Sequence, residues 1–308
     1  MKNIYASLLL FFSFILSASA QVPSLNSFPS ASAVIFLDFD GHIVEGTSWN
    51  GDGPIVCNGA NLSTSQITEI FNRVAEDYRP FNINITTDST KYASAPSTKR
   101  MRVILTTSSS WYGSAGGVSF NNSFTWGDNT PCFVFTALLN YNTKYVAEAA
   151  SHEAGHTLGL NHQSSYDNVC NKTSEYNSGV GSGEIGWAPI MGVGYYRNQT
   201  LWHYGTNPYG CTYMQDDLGV ITSSTNGFGF RSDDHGNAVN SATAASFTNN
   251  RFGVSGIIEK PGDVDVVKFT LGSKNRVQLS ALPFSIAESD AGANVDLQLE
   301  LSTKNGAT

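Results

Sequence analysis

The stretch His152–His162 reads H-E-A-G-H-T-L-G-L-N-H, and no other feature of the chain restricts its fold as much. His152 and His156 are four residues apart, so a helix through them projects both imidazoles from one face, one turn apart. Glu153 stands beside the first imidazole, within reach of a water held between the two. Gly159 can take a positive φ and end the helix abruptly. The chain then turns back and can bring His162 to the other two histidines. The pattern therefore asks for a helix, a sharp stop and a returning segment around one metal ion. Three protein ligands leave zinc's fourth position to water, which marks a catalytic site rather than a structural one. A helix carrying scattered, separately satisfied histidines would need neither the glycine nor the third imidazole.

This H-E-x-x-H-x-x-G-x-x-H run resembles the motif of the metzincin zinc endopeptidases. Ala188-Pro189-Ile190-Met191-Gly192 matches the methionine turn that such enzymes carry beneath the metal, with proline and glycine supplying the turn chemistry. The likeness covers roughly residues 33–228. It is strongest to secreted bacterial members that read SHEAGHTLGL, here from Ser151, and WAPIMGVGYY, here from Trp187. It implies one Zn²⁺ held by His152, His156 and His162, Glu153 as general base, Met191 in the turn, and protein or peptide substrates.

The resemblance also implies a twisted, mostly parallel sheet whose one antiparallel edge strand lines the cleft. Gly116–Phe120 is the candidate for that strand, which makes Gly117, Val118 and Ser119 candidate substrate-binding residues by strand addition. An ordinary hairpin strand is the alternative. The loop between His162 and Met191 is implied to wall the pocket after the scissile bond. Trp187 and Tyr195 are its aromatic candidates, with core packing as the other reading. Some metzincins place a tyrosine two residues after the methionine, where this chain has Val193; Tyr195 and Tyr196 follow.

Met1-Lys2, an apolar run from Leu8 to Leu16 and Ala18-Ser19-Ala20 form the three regions of a secretory signal. The run is too short for a membrane span. Cleavage is expected after Ala20, leaving residues 21–32 as a short N-terminal segment of an exported chain. A net charge of −8 without a basic patch argues against nucleic acid as a partner. No second long apolar stretch follows, and a monomer is expected. With 41% hydrophobic and only 14% charged residues, the chain can bury a large core.

An even number of cysteines in an exported chain suggests disulfides. Cys170 and Cys211 flank the methionine-turn region, so a bridge between them would tie down that long loop. Cys57 and Cys132 then form a second bridge or remain buried thiols.

The order of elements points to an α+β or mixed α/β fold. Ala33–Asp38 reads as a buried strand. Ile67, Ile70, Phe71, Val74 and Tyr78 recur at helical spacing, and Pro80 stops the helix. Further strands are expected around Phe81–Ile85, Met101–Thr106 and Phe133–Phe135. The histidine helix should run from about Thr143 to Leu158 with Asn142 as its cap. Met214–Ile221 reads as a closing helix, with Asp216 and Asp217 in its first turn.

Beyond Phe230 the texture changes. Val264, Val266, Val267 and Phe269, then Val277, Leu279 and Leu282, then Val295, Leu297, Leu299 and Leu301 suggest short alternating strands. Asp233-Asp234-His235-Gly236-Asn237 and Gly262-Asp263-Val264-Asp265 resemble bacterial pre-peptidase C-terminal domains. That implies a partial, truncated β-sandwich over residues 229–308. Its aspartates either form turns or offer oxygen ligands to Ca²⁺.

The expected function is a secreted zinc-dependent endopeptidase. A non-catalytic, zinc-containing surface-binding module is the alternative from another class, and the intact Glu153 argues against it. A zinc hydrolase acting on other bonds is a third reading.

Overall fold

The computed structural model describes residues 21–274, 276–284, 286, 294–295 and 297–303. The expected signal peptide, residues 1–20, lies outside the described residues. In chain order, β1 (Ala33–Asp38), β2 (His42–Val44) and β3 (Ile55–Cys57) precede α1 (Thr64–Asp77). Then β4 (Ile83–Thr86), α2 (Ser89–Ser94), β5 (Arg100–Thr106), β6 (Gly117–Val118) and β7 (Cys132–Phe135) lead to α3 (Thr143–Thr157).

Five of these strands form one sheet in the order β4-β1-β5-β7-β6. The first four run parallel and β6 pairs antiparallel with β7 at the edge. The expected mixed sheet with one antiparallel edge strand is therefore present. β1 is buried along its whole length. Its unbroken apolar run suits an inner parallel strand covered on both faces. Ala33, Ile35 and Leu37 join the main core with α1 and α3, whereas Val34 and Phe36 pack on the opposite face with Tyr92. Ser63 starts α1 with a reciprocal capping box to Gln66.

The two edges of the sheet differ. Residues 25–28 lace along β4: Ser27 N–H donates to Ile85 O at 3.0 Å, and Leu25 N–H donates to Thr87 Oγ1 at 2.8 Å. Among the described residues, nothing pairs with the outer side of β6.

Cys170 and Cys211 form the expected disulfide. Cys57 and Cys132 are free and buried, not bridged. Side chains alternate along β7, so Cys132 points into the main core. Cys57 packs on the other face with Phe133 and Phe135. The sheet itself separates the two thiols.

After α3 the chain forms small paired units: β8 (Ser165–Tyr166) with β9 (Lys172–Ser174), and β10 (Trp187–Pro189) with β11 (Gln199–Leu201). Next, β12 (Tyr204–Thr206) pairs with β13 (Met214–Asp216), and α4 (Asp217–Ile221) follows. The expected helix over Met214–Ile221 is thus shorter, because its first residues are a strand. Asp216 is the cap, accepting from Gly219 N–H at 3.1 Å. Asp217 does not face solvent; it is buried and accepts from Gln163, Gln215 and the backbone N–H of His203.

Phe228 is the last buried member of the main core. Beyond residue 231, the paired strands among the described residues are β14 (Thr243–Ala244) and β15 (Val267–Lys268). The β-sandwich expected there is not formed among the described residues. A sandwich face needs a second sheet to cover it, and Leu282, Leu299 and Leu301 remain exposed. Residues 304–308 lie outside the described residues.

Candidate metal centre

Asn142 starts α3 by accepting from Tyr145 N–H at 3.1 Å, as its position predicts. The helix stops at Leu158, and Gly159 has φ +106°. A Cβ at Gly159 would also fall 2.6 Å from Asn122 Oδ1, so a larger residue would have to displace that side chain as well as adopt a positive φ. The chain returns through Leu160 and brings His162 to the helix. Ring centroids are 4.7 Å apart for His152 and His156, 4.8 Å for His156 and His162, and 5.3 Å for His152 and His162.

Each imidazole is held through Nδ1. His152 donates to Ile190 O at 2.8 Å and His156 to Leu160 O at 2.6 Å. His162 lies 2.8 Å from Glu175 Oε1. A carbonyl accepts only, so Nδ1 carries the hydrogen in the first two rings and Nε2 keeps its lone pair. Burial, then the neighbouring imidazoles, holds His152 well below the ordinary histidine pKa. Burial lowers His156 to about 4, against the Leu160 hydrogen bond. Neutral rings with free Nε2 atoms are the ligand state zinc needs. One nitrogen from each ring comes within 4.8 Å of the others, so the three residues fit a single ion.

Met191 is fully buried beneath this group. A Cβ at Gly155, between the two helical histidines, would lie 2.7 Å from the Met191 sulfur. The turn and the helix are therefore in direct contact, and Ile190 in the same turn supplies the acceptor for His152.

Glu153 faces the edge strand. Its Oε2 accepts from Ser119 Oγ at 2.6 Å. A Cβ at Gly117 would fall 2.6 Å from Glu153 Cγ and 2.7 Å from Phe133 O, so only glycine lets β6 approach this closely. Burial raises the Glu153 carboxyl to about 7, with the Ser119 hydrogen bond pulling the other way. Val118 turns its side chain into the opposite cluster and offers the cleft only its backbone.

Tyr195 approaches the same strand: a Cβ at Gly116 would lie 3.0 Å from its hydroxyl. Burial, then the charge of Glu153, raises its phenol well above the usual range. Trp187 is placed differently, with its ring 5.0 Å from that of His203. Two neighbours of the histidines carry no motif. Glu175 holds His162 and is itself paired with Lys172 Nζ at 2.7 Å. The Tyr176 ring lies 4.3 Å from that of His162. Both sit in the irregular loop after the motif, where no spacing rule applies; an acid at short range from a histidine ligand was the only available signal.

Among the described residues, no helix is long and apolar enough to cross a membrane. No curated protein sequence matches the chain. Residues 53–195 match the family described as dual-action HEIGH metallo-peptidase. That span contains the three histidines, Glu153, the edge strand and Met191, so the chain is a metzincin-like zinc metallopeptidase, similar in this region to the HEIGH family.

Proposed function

We propose that this metallopeptidase is an exported endopeptidase, with residues 33–228 as its catalytic domain and Glu153 as its general base. One observation carries the reading: the carboxylate next to the three histidines also lies against the free edge strand, through Gly117 and Ser119. An extended peptide pairing with that edge brings its backbone alongside Glu153.

His152, His156 and His162 would hold the zinc. When bound, the ion polarises a carbonyl and lowers the pKa of a water to about 7. Glu153 takes a proton from the water that attacks the scissile carbonyl, then delivers it to the leaving amine nitrogen. Ser119 orients the carboxylate during both transfers. Met191 supports the floor of the site, and Tyr195 is read as a wall of the cleft. Export rests on the signal-like residues 1–20, and the Cys170–Cys211 bridge suits an oxidising compartment.

The test is cleavage of unfolded casein by the full chain, with and without a zinc chelator, beside Glu153→Ala. Chelator-sensitive cleavage is expected, lost in the variant while its zinc content is kept. A folded, zinc-loaded wild type that leaves casein intact would favour the surface-binding module instead.

A further inference from the structure

The main core closes at Phe228, yet a residue far beyond it in the chain reaches the catalytic region. Asn294 is partly buried there and uses both ends of its amide. Its Oδ1 accepts from Thr200 N–H at 3.1 Å, and its Nδ2 donates to Asp77 Oδ1 at 3.0 Å. A backbone N–H can only donate, so the orientation of the amide is fixed. The same segment is held beside the end of α1: the Arg79 guanidinium lies 4.4 Å over the Phe284 ring, and Ile286 is buried.

Both partners of Asn294 are buried and need it. On the β10 side of β11, Gln199 N–H donates to Gly186 O at 3.0 Å. Successive N–H groups of a strand point to opposite sides, so Thr200 N–H faces away from β10. Without the amide oxygen it would be a buried donor with no acceptor. Asp77 stands close to a second acid, Glu148, whose charge opposes its ionisation after burial itself. Lys144 offers little relief, because its Nζ is already paired with Glu148 Oε1 at 2.7 Å. Asn294 is thus a neutral donor to a carboxyl that lacks a cation of its own.

From these two partners, two short routes lead to one histidine. In the first, Thr200 precedes Leu201, whose carbonyl accepts from Ile190 N–H at 2.9 Å, and Ile190 O in turn holds His152 Nδ1 at 2.8 Å. In the second, Asp77 Oδ2 accepts from Ser151 Oγ at 2.5 Å, and Ser151 is the residue before His152. The first route ends on the imidazole and the second on the helix turn that carries it. Neither His156 nor His162 is reached this way: their Nδ1 atoms meet Leu160 O and Glu175.

We propose that Asn294 is a positioning residue for His152, supplied to the catalytic unit by the segment that follows it. Its amide pins β11 on one side and Asp77 on the other, so the methionine turn and the histidine helix keep a fixed spacing. The inference rests on the three-histidine zinc site and adds to residues 33–228 a group from outside them.

The test uses the full chain loaded with zinc, and with Co²⁺ in its place, whose visible absorption reports ligand geometry. Asn294→Ala should release zinc to a chelator about tenfold faster than wild type and shift the cobalt bands, well below the unfolding temperature. Asn294→Leu, which keeps the volume but neither hydrogen bond, should behave like Asn294→Ala. Asn294→Gln, which keeps the amide, should recover most of the difference in both readouts. A folded Asn294→Ala or Asn294→Leu chain with wild-type zinc release and cobalt bands, even if it melts earlier, would overturn the positioning role and leave Asn294 a contact for stability alone. Neither readout needs peptide cleavage, so a chain that binds zinc and cleaves nothing would refute the endopeptidase reading without deciding this one.

Discussion

His162 meets the Glu175 carboxylate across 2.8 Å, whereas His152 and His156 lean on the backbone oxygens of Ile190 and Leu160. Only the third histidine therefore depends on a side chain for its orientation. Glu175→Ala should weaken zinc binding about 10- to 100-fold, and Glu175→Gln, which keeps an acceptor, should fall between. Chelator-driven zinc release, read with far-UV circular dichroism held constant, measures this. Equal release from wild type and Glu175→Ala would remove the carboxylate from any positioning role.

Ser119 donates to Glu153 and so stabilises its ionised form. Ser119→Ala should raise the pKa of the Glu153 carboxyl, the proposed base. The acid limb of kcat/KM then moves to higher pH by about half to one unit, and activity falls more at pH ~6 than at pH ~8. A uniform loss at every pH would mean that the hydroxyl serves substrate binding instead.

Gly117→Ala places a methyl group against Glu153 Cγ and Phe133 O. Either the base or the edge strand must shift. Activity should drop about 100-fold with the fold and zinc content retained, since displacements near 1 Å at the reacting groups cost this much. Full activity in a folded Gly117→Ala chain would show that the close approach is not needed.

The Cys170–Cys211 bridge joins the turn between β8 and β9 to the loop between β12 and β13, with a sequence separation of 41. Closing a loop of that size removes about 4 kcal/mol of unfolded-chain entropy. Replacing both cysteines with alanine should lower the unfolding midpoint accordingly. Zinc release should also quicken, because Glu175 follows β9 directly. Denaturant titration of wild type, oxidised and reduced, checks the first part.

Asp38 is buried, and although Arg102 meets it at 2.6 Å, its pKa rises to about 7. Burial outweighs the ion pair, with the Asp40 hydrogen bond next. The folded state then binds more protons than the unfolded chain between pH about 4 and 7, so stability falls as pH rises through that window. The loss is at most about 4 kcal/mol, at 1.4 kcal/mol for each unit. Asp38→Asn should flatten this part of the pH profile, as seen in denaturant midpoints from pH ~4 to ~8. A variant with the wild-type slope would place the proton uptake elsewhere.

Much of the scaffold is legible in the chain because local signals and tertiary demands coincide there. Ala33–Asp38 is apolar throughout and becomes an inner strand; Asn142 and Gly159 bound α3 at both ends. The failures have equally local causes. Asp217 does stand in the first turn of α4, but Asp216 is its cap, the residues before it form a strand rather than helix, and Asp217 is buried by glutamine donors. Cys57 and Cys132 make an even count, yet they face opposite sides of a sheet, which composition does not encode. Glu175 reaches His162 through the path of a loop without periodicity. The apolar alternation after residue 264 is real, but among the described residues its one paired strand is β15 with β14, because alternation alone does not specify a partner sheet.

Among the described residues, the sheet is finished on the β4 side and left open on the β6 side. Under the proposed strand addition, an incoming chain would serve there as the missing strand, and a helix or tight turn cannot present the row of backbone groups that this requires. On that reading, access to Glu153 would be governed less by which residues a target carries than by whether a stretch of it has come loose from its own fold. β6 is two residues long, and so short an edge disfavours stacking of one copy on another while it would still give brief purchase to a passing strand.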